Sequence, residues 1–99
     1  MNMHTRLPRA LPPAARHYSS SPHFTEVTVP EKLTSLHRTK PGVWGRLVVE
    51  QGTLRFIEPG PPERDFAVSE GEEIIIAPEL PHRVSITGPV YFLIEFYRE

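Results

Sequence analysis

The chain has 99 residues, no cysteine, and 11 Lys+Arg against 12 Asp+Glu, for a net charge near −1. That excludes a Rossmann unit, an eight-fold barrel or a kinase on length, and disulfides, zinc knuckles, thiol catalysis and iron–sulfur clusters on composition. It leaves no electrostatic case for a nucleic-acid partner, and no apolar run approaches the roughly 20 residues of a membrane span.

Residues 1–25 carry Arg6, Arg9, Arg16 and three histidines with no acid, whereas the remainder is acidic on balance. Residues 1–17 read as a Pro- and Arg-rich arm, mobile up to about Pro13, ahead of a single domain over 18–99. An Arg-bearing, acid-free, Ser-rich start resembles a mitochondrial transit segment. Pro8, Pro12 and Pro13 interrupt the amphipathic helix such a segment needs, so a cytoplasmic location is expected first and a mitochondrial one second.

From residue 24 the sequence predicts strands. Phe24 to Val29 alternates and is rich in β-branched residues. Glu31 to Leu36 fits either a helical turn or an irregular connection. Val43–Val49 and Thr53–Glu58 flank Glu50-Gln51-Gly52 and predict a hairpin. Pro59-Gly60-Pro61-Pro62 marks a loop. Phe66–Val68 is a short strand, and Glu73–Ala77 is a strand whose Ile74, Ile75 and Ile76 indicate burial on both faces. Pro78 and Pro81 bend the chain before Arg83–Thr87. Gly88-Pro89 predicts a last turn ahead of Val90–Tyr97. Strands recurring about every ten residues with turn signals between them predict an all-β sandwich or barrel. Its core should include Phe56, Ile75, Phe92, Ile94 and Phe96. Exposed sheet edges predict a homodimer, with the arm as a strand that a partner could accept.

The residues capable of chemistry are few. His82 follows Pro78 and Pro81, which fix the backbone and restrict where the imidazole can point. His37 precedes another strand. Glu95 stands in a stripe with Tyr91, Leu93 and Tyr97, and an acid so placed is seldom buried unless paired or ligated. Pairing with Arg46 or Lys40, exposure to water, or ligation to a metal would each satisfy it. Trp44 and Arg46 share a strand face and fit either a pocket wall with a cationic anchor or a packed tryptophan beside a surface arginine. Glu79 lies on the bend, within reach of a site near His82. His4, His17 and His23 lie in or near the arm and are expected in solvent.

The run His37-Arg38-Thr39-Lys40-Pro41-Gly42-Val43-Trp44-Gly45, with Ser21-Pro22-His23-Phe24-Thr25 ahead of it and Gly71, Pro78 and Pro81-His82 behind, resembles the TehB/YeaR-like cupin family. That small domain occurs alone and also ahead of the methyltransferase of some tellurite-resistance proteins. The resemblance covers about residues 18–98. It implies a cupin-like jelly-roll β-sandwich with a pocket between its sheets. It also implies a divalent metal such as zinc, iron, manganese or nickel, on two histidines and an acid from a first motif and one histidine from a second. Residue by residue, His37 and His82 match two of these positions. Thr39 stands where a second histidine would be, and Gly45 lies near the place of the acid, so Glu95 becomes the candidate third ligand. Lys40, Trp44, Arg46 and Glu79 are the candidate pocket residues. The expected function is a binding protein for a divalent metal or a small anion, linked to tellurite or other oxyanion stress. The alternative is a small metal-dependent dioxygenase or isomerase. Methylation is not expected, because 99 residues have no room for the methyltransferase of the fused relatives.

Overall fold

The structure, a computed structural model, describes residues 9–99. The first eight residues of the arm, and with them half of the transit-segment reading, lie outside that range. Among the described residues the strands are β1 (Arg16–Ser20), β2 (Phe24–Thr25), β3 (Trp44–Glu58), β4 (Arg64–Ser69), β5 (Glu73–Ile76) and β6 (Arg83–Arg98). The one helix among the described residues, α1 (Glu31–Thr34), is a single turn. The protein is therefore all-β, as predicted.

Two long antiparallel strands organise the fold. β3 and β6 pair from Trp44↔Tyr97 to Ile57↔Arg83. On its other side β3 changes neighbours midway, pairing with β5 over Gly45–Val48 and with β4 over Thr53–Glu58. β1 and β2 both lie along the C-terminal half of β6. One core draws on both halves, with Leu47, Ile74 and Phe92 from one packing with Leu54, Phe56 and Val84 from the other. The sheet thus folds over on itself as a sandwich, closed by the apolar faces of both halves.

The predicted hairpin at Glu50-Gln51-Gly52 and the predicted turn at Gly88-Pro89 do not form. In both places the strand runs on through a register shift, between Val49 and Gln51 and again between Gly52 and Leu54. An extra residue unpaired in a ladder bends the strand and shifts which face the next residues occupy. Gly45, Leu47 and Val49 are accordingly buried on odd positions, and Leu54 and Phe56 on even ones. Pro89 has no N–H to contribute and falls in the interrupted stretch of β6, where none is required. The predicted strand over Phe24–Val29 shrinks to Phe24–Thr25. Beyond it the Thr25 and Thr28 hydroxyls bond backbone amides of the same segment and curl it into a turn.

Gly52 sits where the two long strands cross their bend. Its φ is +77°, and a Cβ there would collide with the Pro89 carbonyl oxygen. Gly71 has a similar φ of +82° but open space around it. Both alanine variants incur the left-handed cost of about 1–2 kcal/mol, but only Gly52→Ala must also displace backbone. Gly52→Ala should destabilise the protein by at least about 1 kcal/mol more than Gly71→Ala, as read from urea unfolding midpoints.

The core matches expectation closely. Phe56, Ile75, Phe92 and Ile94 are buried, as are both neighbours of Ile75, while Phe96 is partly buried against the core. The domain begins earlier than the expected boundary at residue 18. Arg16 and His17 already pair with Arg98 and Tyr97. The strand at the end of the arm is thus used within its own chain. Further back, Arg9 is anchored, with its guanidinium donating to both Glu58 carboxylate oxygens at 2.6 and 3.2 Å and to the Ile75 carbonyl at 3.2 Å. The arm thus meets the domain through Arg9, ahead of Pro13.

Candidate functional site

His37 and His82 meet. The His37 amide donates to the His82 carbonyl at 3.0 Å, and the His82 amide donates back at 2.8 Å. The rings stand edge to face with centroids 4.3 Å apart. Two proline-bounded connections make this meeting. Ala77–Leu80 is a turn with Pro78 at its second position and Glu79 at its third, where φ is +63°. The Glu79 amide donates to the Thr39 carbonyl at 3.2 Å, which ties this turn to the segment carrying His37. The Thr39 hydroxyl in turn donates to the Val43 carbonyl at 2.8 Å.

His82 is only 2% exposed and stacks on Phe56 with centroids 5.1 Å apart. Burial pushes its pKa down to about 4. The neighbouring His37 and, more weakly, Arg9 act in the same direction, against the Leu80 carbonyl and Glu58. At neutral pH the ring is therefore uncharged. Nδ1 of each histidine lies against a carbonyl two residues earlier, Ser35 at 2.9 Å for His37 and Leu80 at 2.8 Å for His82. A carbonyl can only accept, so Nδ1 carries the hydrogen and, in the neutral ring, Nε2 carries the lone pair.

Both histidines line a cavity of about 360 Å³, His82 buried and His37 half-buried. Leu33, Val43, Ile76, Ile94 and Phe96 provide apolar walls, drawn from α1, the following loop, β5 and the inner face of β6. Lys32, Arg38, Lys40 and Arg98 complete the lining together with Tyr18, Ser19 and Thr39, and no carboxylate is among the lining residues. The Arg98 guanidinium lies 4.4 Å from the centroid of the Tyr18 ring. A concave site whose lining carries cations and no acid focuses a positive potential, although the chain as a whole is slightly acidic.

Of the candidate site residues, His37, His82 and Lys40 are brought together here, and four others are elsewhere. Glu95 is corrected as a metal ligand: it follows Ile94 on β6 and so points to the opposite face. There it lies 3.4 Å from Arg46 and accepts a hydrogen bond from the Tyr97 hydroxyl at 2.9 Å. Arg46 is on that same outer face, bonded to Glu73 at 2.7–2.8 Å, because Gly45 and Leu47 take the inward positions of β3. Trp44, two residues before Arg46, shares its face and is no pocket wall. Glu79 is exposed; its backbone builds the site and its carboxylate does not line it. His17 and His23 are exposed as expected.

Among the described residues no group of three or more His, Asp or Glu side chains is placed to hold a metal ion. The described residues thus supply two imidazoles, one fewer than the three protein ligands of a usual catalytic divalent centre.

Lys32, Arg38, Arg98 and Tyr18 are the site residues that sequence reasoning missed. Arg38 lies within the motif, between His37 and Thr39, and its place there was a signal for it. Arg98 and Tyr18 join the site only because β1 lies beside the end of β6, a pairing across some 80 residues that no local pattern announces.

Fold and pocket together define a small all-β sandwich protein of the pocket-bearing kind. Residues 19–94 match the model of the TehB-like domain, and the chain belongs to that family. It is 27% identical over 90 residues to the Escherichia coli K12 protein YeaR, described as uncharacterized, an alignment covering 82% of this chain and 76% of YeaR. A crystal structure of an E. coli K12 protein superposes with a TM-score of 0.79 at 26% identity, covering 90% of this chain and 95% of that one. The crystal structure of TehB from Haemophilus influenzae superposes with a TM-score of 0.72 at 27% identity over 86% of this chain. This chain spans 32% of that TehB chain. No helix among the described residues is long and apolar enough to cross a membrane.

Proposed function

We propose that the protein is a binding module that takes a small anion into the pocket beside His37 and His82, in a sandwich we read as a cupin-type jelly roll. The observation that carries this reading is the lining of the cavity, with four cations and no acid. Arg38 and Lys40 project from an exposed loop and make no salt bridge among the described residues. Their charge is available to an incoming ligand. His82, neutral at pH 7, adds hydrogen-bonding capacity without adding charge. The family resemblance supplies oxyanion stress, tellurite included, as the setting in which such a module would act.

Titration with phosphate, tellurite and small carboxylates, followed by amide chemical shifts of Ile94 and Phe96, tests the reading. Each lost charge–anion contact is worth about 1.5 kcal/mol or more, so Arg38→Glu with Lys40→Glu should weaken binding of any anion by at least about a hundredfold. The fold should be unchanged, since both side chains are exposed. Binding that survives the double reversal would refute the proposal. So would a site that takes up none of these anions.

A further inference from the structure

The pocket is polarised from base to rim, and that polarity specifies its ligand more narrowly than charge alone. We infer, building on the anion-binding reading, that the ligand is an organic carboxylate with an apolar body and a hydrogen-bond donor at the end opposite its carboxylate.

Three features of the site lead to this. First, the walls between base and rim are aliphatic and aromatic: Leu33, Val43, Ile76, Ile94 and Phe96. A small inorganic oxyanion would have to shed water against these side chains and could cover little of their surface. An apolar ligand body gains by covering it. Second, the cations come from α1, the His37–Val43 segment and the end of β6, where side chains are largely exposed, so the anionic group belongs at the mouth. Third, the base presents acceptors. Nδ1 of each imidazole already donates to a backbone carbonyl, which leaves Nε2 as the free position. No buried side-chain nitrogen or oxygen among the described residues lacks a partner, and Nε2 of His82 has no hydrogen bond there. His82 lines the cavity, and Nε2 is the ring position from which it can accept a hydrogen bond from a ligand. A carboxylate oxygen against a lone pair is repelled; a hydroxyl or N–H is welcomed. The carboxylate must face out and the donor must face in. At about 360 Å³ the cavity is at the small end of ligand sites, fitting a single ring or a short chain.

Calorimetry on the unmodified protein with 4-hydroxyphenylacetate, phenylacetate, inorganic phosphate and tellurite tests this. The hydroxylated acid should bind at least about tenfold more tightly than phenylacetate, the worth of one well-made buried hydrogen bond. Both should bind more tightly than phosphate. His37→Phe keeps an aromatic ring at the base and removes its acceptor, and it should shrink the preference for the hydroxylated acid. Equal affinity for the two aryl acids overturns the inference. Binding of phosphate or tellurite without binding of the aryl acids overturns it too, while leaving the anion-binding reading standing. Failure of all four to bind overturns both.

Discussion

Replacing Arg9 with methionine should lower the free energy of unfolding by about 3 kcal/mol. The reason is Glu58, a carboxylate at the end of β3 that is 5% exposed. Arg9 is its only salt-bridge partner among the described residues, and the contact is a two-pronged one, at 2.6 and 3.2 Å. Removing the guanidinium leaves a buried charge without compensation, which costs about 3–5 kcal/mol in comparable cases. The Arg9 side chain retains 19% exposure, so water can reach the vacated space and the lower end of that range applies. Removing both charges should be far milder. Arg9→Met combined with Glu58→Leu should recover most of the loss, because an apolar pair of similar volume replaces a desolvated ion pair at little net cost. Urea unfolding of the wild type, both single variants and the double variant measures the cycle. A loss below about 1 kcal/mol for Arg9→Met would show that the arm is not docked in solution.

Acidification from pH 7 to pH 5 should destabilise the protein by about 2 kcal/mol through His82 alone. Its pKa is about 4 in the folded chain against the ordinary 6.5, chiefly because burial disfavours the charged ring. Between those values the unfolded chain binds a proton that the folded one does not, so protonation favours unfolding. The contribution of the neutral ring is fully present above pH 6.5. It is lost progressively as the pH falls to about 4, at close to 1.4 kcal/mol per pH unit over most of that window. Below pH 4 both states are protonated and the loss levels off. Carboxylates contribute mainly below pH 5, so the pH 5–7 interval isolates the histidine. His82→Gln should be less stable than wild type at pH 7 yet show a much flatter stability profile between pH 7 and pH 5. An unchanged slope in that variant would mean that another group titrates.

The sequence revealed the core and the centre of the site, and misread the chain's course between them. Phe56, Phe92 and Ile94 could be identified because they are large, apolar and periodic, and any arrangement of these strands would bury them. His37 and His82 could be identified because motif residues marked both and prolines constrained one. The hairpin could not be told from a bent strand. A glycine with positive φ after two polar residues serves a turn and a bulge equally well, and only the partner strand decides between them. Glu95 was misplaced for a related reason. Its stripe was correctly separated from that of Ile94 and Phe96, but the pocket opens on the core side, so an acid on the other stripe could not reach it. The cationic rim was hidden because its members come from three separate stretches of chain. Only the pairing of β1 with β6 and the folding of the loop after α1 bring them together.

The uninterrupted run of β3 and β6 through both halves of the sandwich bears on how the molecule comes apart and reassembles. Neither half owns its strands: one belongs to β5, β1 and β2 at one end of the ribbon, the other to β4 at the opposite end. Opening either end frays strands that hold the other, so there is no smaller unit able to unfold independently, and the domain melts as a single cooperative body. The same arrangement delays assembly. The central ribbon joins segments separated by two intervening strands, and β1 must wait for the last residues of the chain, so most of the loop-closure entropy is lost before the core can repay it. Folding on the slow, millisecond-to-second side of the range for small domains is the kinetic counterpart of that ribbon.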